Sequence, residues 1–199
     1  MARWIVSLLP SLVVAAGVAQ TADPLREARD AVEMRQTDRL KRMLAADPGL
    51  ARRADAFGFT LLHRVRRPEE AGILLSHGAN LEARNRYGST PLLEACRRDL
   101  PEVVRFLLSR KANALATMDN GSGALHLAAE SAGARVVELL VAAKVPVNAR
   151  DRSGRTPLHR AAQAGNVEAA RALLRFGANP ALEDADGRTP LAVAEQRRE

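Results

Sequence analysis

The chain is poor in aromatics, cysteine and lysine, and each shortage narrows what it can be. Phe, Trp and Tyr make up only 3% of its 199 residues, which favours closely packed helices of small and aliphatic residues over a β-sandwich. Cysteine occurs once, at Cys96, so an intrachain disulfide and a cysteine zinc cluster are both excluded. Gly-x-Ser-x-Gly is absent, and Gly121-Ser122-Gly123 lacks the following Lys-Ser or Lys-Thr of a phosphate loop. Only 3 of the 30 basic residues are lysine, so the net charge of +7 rests on arginine. A basic balance points to acidic partners of some kind and says nothing about fold. The length suits one domain with a sizeable core.

The chain opens on an apolar run that differs from everything after it. Arg3 precedes Ile5 to Val18, broken only by Ser7, Pro10, Ser11 and Gly17, and the small residues Gly17 and Ala19 follow. That is the layout of a secretory signal peptide over 1–19, with the cut after Ala19 and a short linker at 20–24. A retained single-span anchor and a chance apolar start compete with this reading, but the run falls short of the roughly 20 residues a bilayer requires. No cysteine directly follows it, so a lipoprotein anchor is excluded, and cleavage leaves a chain of charge +6 with no membrane anchor expected. The expected location is exported, periplasmic or secreted.

The remainder repeats. Thr60, Thr90, Gly123, Thr156 and Thr189 fall in one column at spacings of 30, 33, 33 and 33 residues. Gly58, Gly88, Gly121, Gly154 and Gly187 stand two positions earlier, and Asp55, Asn85, Met118, Asp151 and Asp184 three before those. Leu74-Leu75, Leu107-Leu108, Leu140-Val141 and Leu173-Leu174 form a further column spaced by 33. Asp-x-x-Gly is turn chemistry, and Thr-Pro starts a helix, the hydroxyl capping it and proline fitting its first position. Leu158, Ala161 and Ala162 then give a short helix, and Ala169, Ala170, Leu173 and Leu174 a second, stopped at Gly177. No unit can bury its apolar face alone, whereas stacked neighbours can.

In its 33-residue period and its Thr-Pro-Leu-His-x-Ala signature, the unit resembles the ankyrin repeat. The resemblance covers about Leu25 to Arg198. It implies an all-α solenoid of stacked antiparallel helix pairs with β-hairpin or turn fingers along one edge. The units run 25–54 (N-terminal cap), 55–83 (shortened), 84–116, 117–149 and 150–182, with a C-terminal half unit at 183–199.

His63, His126 and His159 share one slot, filled by Leu93 and Ala192 elsewhere. A catalytic histidine occurs once; these recur, so hydrogen bonding at the finger-to-helix junction is expected. His77 reads as a solvated helix end. Asp184-Ala185-Asp186-Gly187 only superficially resembles a calcium loop, because the twelve-residue pattern is incomplete. Cys96 stands where siblings are Ala129 and Ala162, a packed small-residue face. No enzyme, metal or cofactor is expected.

Function then falls to the surface. The resemblance implies protein binding through the finger tips and the exposed face of the first helices. The candidate residues are Phe57, Tyr87, Arg64, Arg84, Arg86, Arg97, Arg98, Asn120, Arg152 and Arg155. Aromatic plus arginine is the composition enriched at binding hot spots, so an acidic protein surface is the expected partner of a monomeric chain. The competing reading makes the arginines a soluble face and tucks Phe59 under its own finger. Envelope lipid or polysaccharide binding, and an inhibitor or immunity role toward an enzyme, are the alternatives. A nucleic-acid binder has the charge but no reading motif, and an export signal contradicts it.

Three departures stand out. The first clear unit loses three residues between His63 and Pro68, which predicts a stunted helix and a notch beside the aromatic tips. Gly123-Ala124 replaces Thr-Pro in the third. Lys111 and Lys144 stand where Gly78 and Gly177 stand in their units, at positions expected to need positive φ.

Overall fold

A computed structural model describes residues 23–131 and 133–197; the expected signal peptide lies outside them, as does Arg198. Eleven α-helices and one 3₁₀ turn (Pro48–Ala51) follow one another, with no strand among the described residues. They form successive antiparallel pairs: α1 (Pro24–Glu33) with α2 (Thr37–Ala46), α3 (Leu61–Arg64) with α4 (Pro68–Ser76), and α5 (Pro91–Arg97) with α6 (Pro101–Ser109). Next come α7 (Ala124–Glu130) with α8 (Ala134–Ala142), α9 (Pro157–Ala164) with α10 (Val167–Arg175), and α11 (Pro190–Gln196). First helices pack on first helices and second on second, so the pairs stack in register. The architecture is an all-α solenoid.

The repeated columns explain the joints. Thr60, Thr90, Gly123, Thr156 and Thr189 are the N-caps of the first helices. The five column glycines all have φ between 70° and 82°, the left-handed region that side chains avoid. Asp55, Asn85, Asp151 and Asp184 each accept two backbone N–H groups of their own turn through Oδ1. Met118 cannot, and Asn120 supplies the oxygen for Ser122 N–H instead, at 2.9 Å. Fingers are therefore tight turns, with isolated bridges Ala54–Thr60 and Thr117–Gly123, rather than extended hairpins. Each is tied to the next by a backbone bond: Arg86 N to Phe57 O, Asp119 N to Tyr87 O, Arg152 N to Asn120 O and Ala185 N to Ser153 O, at 2.9–3.1 Å.

Lys111 and Lys144 take φ of 65° and 62°, so the stops after α6 and α8 use the left-handed region as Gly78 and Gly177 do after α4 and α10. The stop is built alike with lysine or glycine. Lys144 N donates to Val141 O and Val145 N to Leu140 O; Gly177 N donates to Leu174 O and Ala178 N to Leu173 O. Inside, Leu44, Leu74, Leu107, Leu140 and Leu173 are fully buried and form one continuous core with alanines and valines. Burying each leucine contributes about 1.5–3 kcal/mol. Cys96 is fully buried in this core.

α3 is stunted, as the missing residues predict: it spans only 4 residues. The chain turns at Val65 and is held by Glu70, a carboxylate 1% exposed. Its Oε2 accepts from Arg66 N (2.9 Å) and Arg67 N (3.1 Å), and Oε1 from Arg67 Nε (3.2 Å). Gly123 still starts a full-length α7, because its N–H donates to His126 Nδ1 at 3.2 Å.

Candidate protein-binding surface

The three column histidines are structural staples. In each, Nδ1 accepts the N-cap N–H three residues back, at 3.1–3.2 Å, so Nδ1 carries no proton. Nε2 then donates to a carbonyl of the next finger: Ser89 O for His63, Arg155 O for His126 and Arg188 O for His159, at 2.9–3.1 Å. Burial, first of all, pulls His63 and His126 below the ordinary 6.5, because the charged ring would lose its hydration there. Where Leu93 and Ala192 replace histidine, the threonine hydroxyl caps the helix by itself. His77 bonds Ile73 O at the end of α4. Burial pushes the Cys96 thiol far up, and the Asp99 carboxylate adds to it. Among the described residues, no group of three or more His, Cys, Asp or Glu side chains is placed to hold a metal ion.

The aromatic tips are open. Phe57 and Tyr87 are 48% and 50% exposed on adjacent fingers. Arg86 reaches both: its guanidinium carbon lies 4.7 Å from the Phe57 ring centre and 5.9 Å from that of Tyr87. Both distances fall within cation–π range, worth about 0.5–1 kcal/mol at an exposed site. Phe59 is half-buried. It meets the His63 ring edge-on at 5.7 Å and lies under Arg64 at 5.0 Å, so the tucked reading holds for this one ring.

The remaining candidates divide. Arg64 is held by Asp55 at 2.8 Å and Glu33 at 3.4 Å. Burial works against the Asp55 charge, but the Arg64 guanidinium and the Phe59 and Phe57 N–H groups outweigh it and hold the carboxyl below 3.8. Arg84 donates to Thr117 O at 2.7 Å, bracing one finger on the next. Arg155 bonds Gln163 at 3.2 Å and lies 3.5 Å from the Asp184 carboxylate. Arg97 pairs with the buried Glu94 but keeps half its side chain exposed. Arg152 and Asn120 are exposed on their fingers, Asn120 with its oxygen committed to Ser122.

The expected notch is present. About 320 Å³ of open space lies beside stunted α3, walled by Phe59, Arg64, Arg66, Glu94, Arg97 and Arg98. Arg98 is half-buried there, and burial followed by the Arg66 charge pulls it below the ordinary arginine value. Arg66 was not among the residues expected from sequence, although the missing three residues fall beside it. Arg86 was expected, but as a charge and not as the bridge between two rings.

Residues 125–199 match a family model described as "Ankyrin repeats (3 copies)", and residues 74–128 match one described as "Ankyrin repeats (many copies)". Residues 74–199 are ankyrin repeats. The fold is accordingly an ankyrin solenoid, a scaffold that is typically non-enzymatic and generally binds other proteins. α1 to α3 precede the matched ankyrin region and continue its pairing and stacking. A search of curated proteins finds no match to the chain.

Proposed function

We propose that this ankyrin chain is a non-enzymatic interaction module that docks an acidic protein surface through its first two fingers and the notch beside them. The observation that carries the reading is the exposed Phe57–Arg86–Tyr87 cluster. It presents two aromatic faces around a cation, the side-chain types that dominate interface hot spots. Arg66, Arg97 and Arg98 extend the same end with positive charge. Engagement of every column histidine in fixed hydrogen bonds, together with the burial of Cys96, supports the non-enzymatic part. The N-terminal layout of a basic start, short apolar run and small residues supports action after export, which we place in a bacterial periplasm; we take the working form to be a monomer of about five units including the caps.

The test is capture from periplasmic extract by the chain from Gln20, beside the Phe57→Ala/Tyr87→Ala variant and an Arg86→Ala variant. The reading expects a discrete protein held by the parent, lost with the double variant and weakened about tenfold with Arg86→Ala. Equal capture by all three chains sinks it. Recovery of only salt-labile lipid or polysaccharide favours the envelope reading instead.

A further inference from the structure

The outward face of α10 has no further helix packed on it among the described residues. α4, α6 and α8 each pack against the second helix that follows them. Equivalent positions therefore differ in exposure. Ala71, Val104 and Val137 are fully buried, while Ala170 is only half-buried. Leu75, Leu108 and Val141 are half-buried, while Leu174 is 47% exposed. Val167 and Leu191 are 59% and 67% exposed. These side chains line a groove of about 720 Å³ between α9, α10 and α11, with Ala170 and Ala194 on its floor. The groove repeats the seat that α8 offers to α10, and so has the width for a helix.

Charge says what kind of helix fits. Successive second helices are joined by ion pairs, Glu102 with Arg135 at 3.3 Å and Glu138 with Arg175 at 3.7 Å. On α10 the place of Glu138 is taken by Arg171, and Arg197 also lines the groove, whereas Glu168, in the place of Glu102, lies outside its lining. A helix seated here meets cations where α10 itself met an acid. A second copy packed face to face would bring two copies of Arg171 and Arg197 onto one small apolar patch, which like-charge repulsion opposes. We propose that this groove docks an amphipathic helix of a partner protein. Its buried side is small and aliphatic, and it carries a carboxylate placed to meet Arg171. This site lies at the opposite end of the stack from the aromatic fingers and does not depend on their role.

The probes are two side-chain-stapled peptides carrying residues 167–175, one native and one with Arg175→Glu. By the column logic, position 175 reaches back to the residue at 138 or its equivalent. Each peptide is titrated into the full ¹⁵N-labelled chain from Gln20, into its Arg171→Glu variant and into its Leu174→Asp variant, with circular dichroism checking each fold. The Arg175→Glu peptide binds the parent chain about threefold more tightly than the native peptide, shifting the amides of Val167, Ala170, Leu174 and Leu191. Arg171→Glu inverts that preference, and Leu174→Asp removes both interactions. Failure of both peptides to bind overturns the proposal, as does a preference that ignores Arg171 or shifts that map to another face. Self-association of the parent chain that Leu174→Asp abolishes also overturns it, in favour of a second copy.

Discussion

Substituting alanine for Gly154 and for Gly187 separates two reasons for a glycine that sequence cannot tell apart. Both occupy the same turn position with nearly the same backbone, φ of 70° and 73°. An alanine at either site pays the left-handed penalty, about 1 kcal/mol. Their surroundings differ. A Cβ on Gly154 would lie 2.9 Å from Ala185 N and 3.3 Å from Asp184 C, whereas one on Gly187 meets nothing within 4 Å. The obstacle at Gly154 is backbone of the next finger, which cannot swing aside as a long side chain can. Relief requires pushing that finger away and stretching the bond from Ala185 N to Ser153 O, now 2.9 Å. Losing it costs about 1 kcal/mol more. Gly154→Ala therefore destabilises by about 2 kcal/mol and Gly187→Ala by about 1, or about 4–8 °C against 2–4 °C in melting temperature. Hydrogen exchange resolves the cause: Gly154→Ala speeds exchange at the Ala185 amide, and Gly187→Ala leaves it protected. Equal destabilisation with the Ala185 amide equally protected in both variants would refute the close-approach argument.

Three further outcomes follow from the same geometry. Lys144→Gly removes a side chain from φ 62° and should raise stability by about 1 kcal/mol, read as a higher thermal midpoint. Arg160 pairs at 2.6 Å with Asp151, whose side chain is 1% exposed, so Arg160→Leu alone strands a buried carboxylate and costs about 3 kcal/mol. Met118 and Leu127 fill the same two slots one unit earlier, with Asn120 supplying the turn oxygen, so adding Asp151→Met together with Ser153→Asn should recover at least about 1 kcal/mol in urea titrations. His63 and His126 have folded pKa values below the 6.5 of the unfolded chain. The unfolded state therefore binds more protons just below pH 6.5, and stability is full above that pH and declines as pH falls through it. Urea midpoints at pH 7.5 and 5.0 should show the loss, reduced in a His126→Leu variant, since Leu93 fills the same slot in α5.

Much of this fold was legible because each unit repeats its instructions. Glycines two before a cap, a leucine pair on the second helix and a histidine at the third position of the first helix mark the joints, and all fell where the columns put them. Even the faults were legible: the three missing residues shortened α3, and the two lysines took the conformation of the glycines they replace. The surface was harder to read. Arg64 and Arg84 looked like free charge but are spent on Asp55, a column residue of the same unit, and on Glu33 and the Thr117 carbonyl, which belong to neighbouring units and carry no mark in the repeat. Glu70 gave no signal because its task, capping a shortened turn, exists only in that unit. The groove on α10 escaped notice for the opposite reason. Its apolar residues match their column, and only the lack of a further helix among the described residues makes them a surface.

The central claim is that the aromatic fingers, and not merely a basic surface, carry the interaction. The most direct test places a photo-crosslinking phenylalanine analogue at position 87, and separately at the exposed Ser109 at the end of α6, in the full chain within the cells that make it. Irradiation should yield one discrete heavier adduct from position 87 and none from 109, with the 87 adduct lost when Phe57→Ala is added. An adduct from 109 alone, or the same adducts from both positions, would contradict the account.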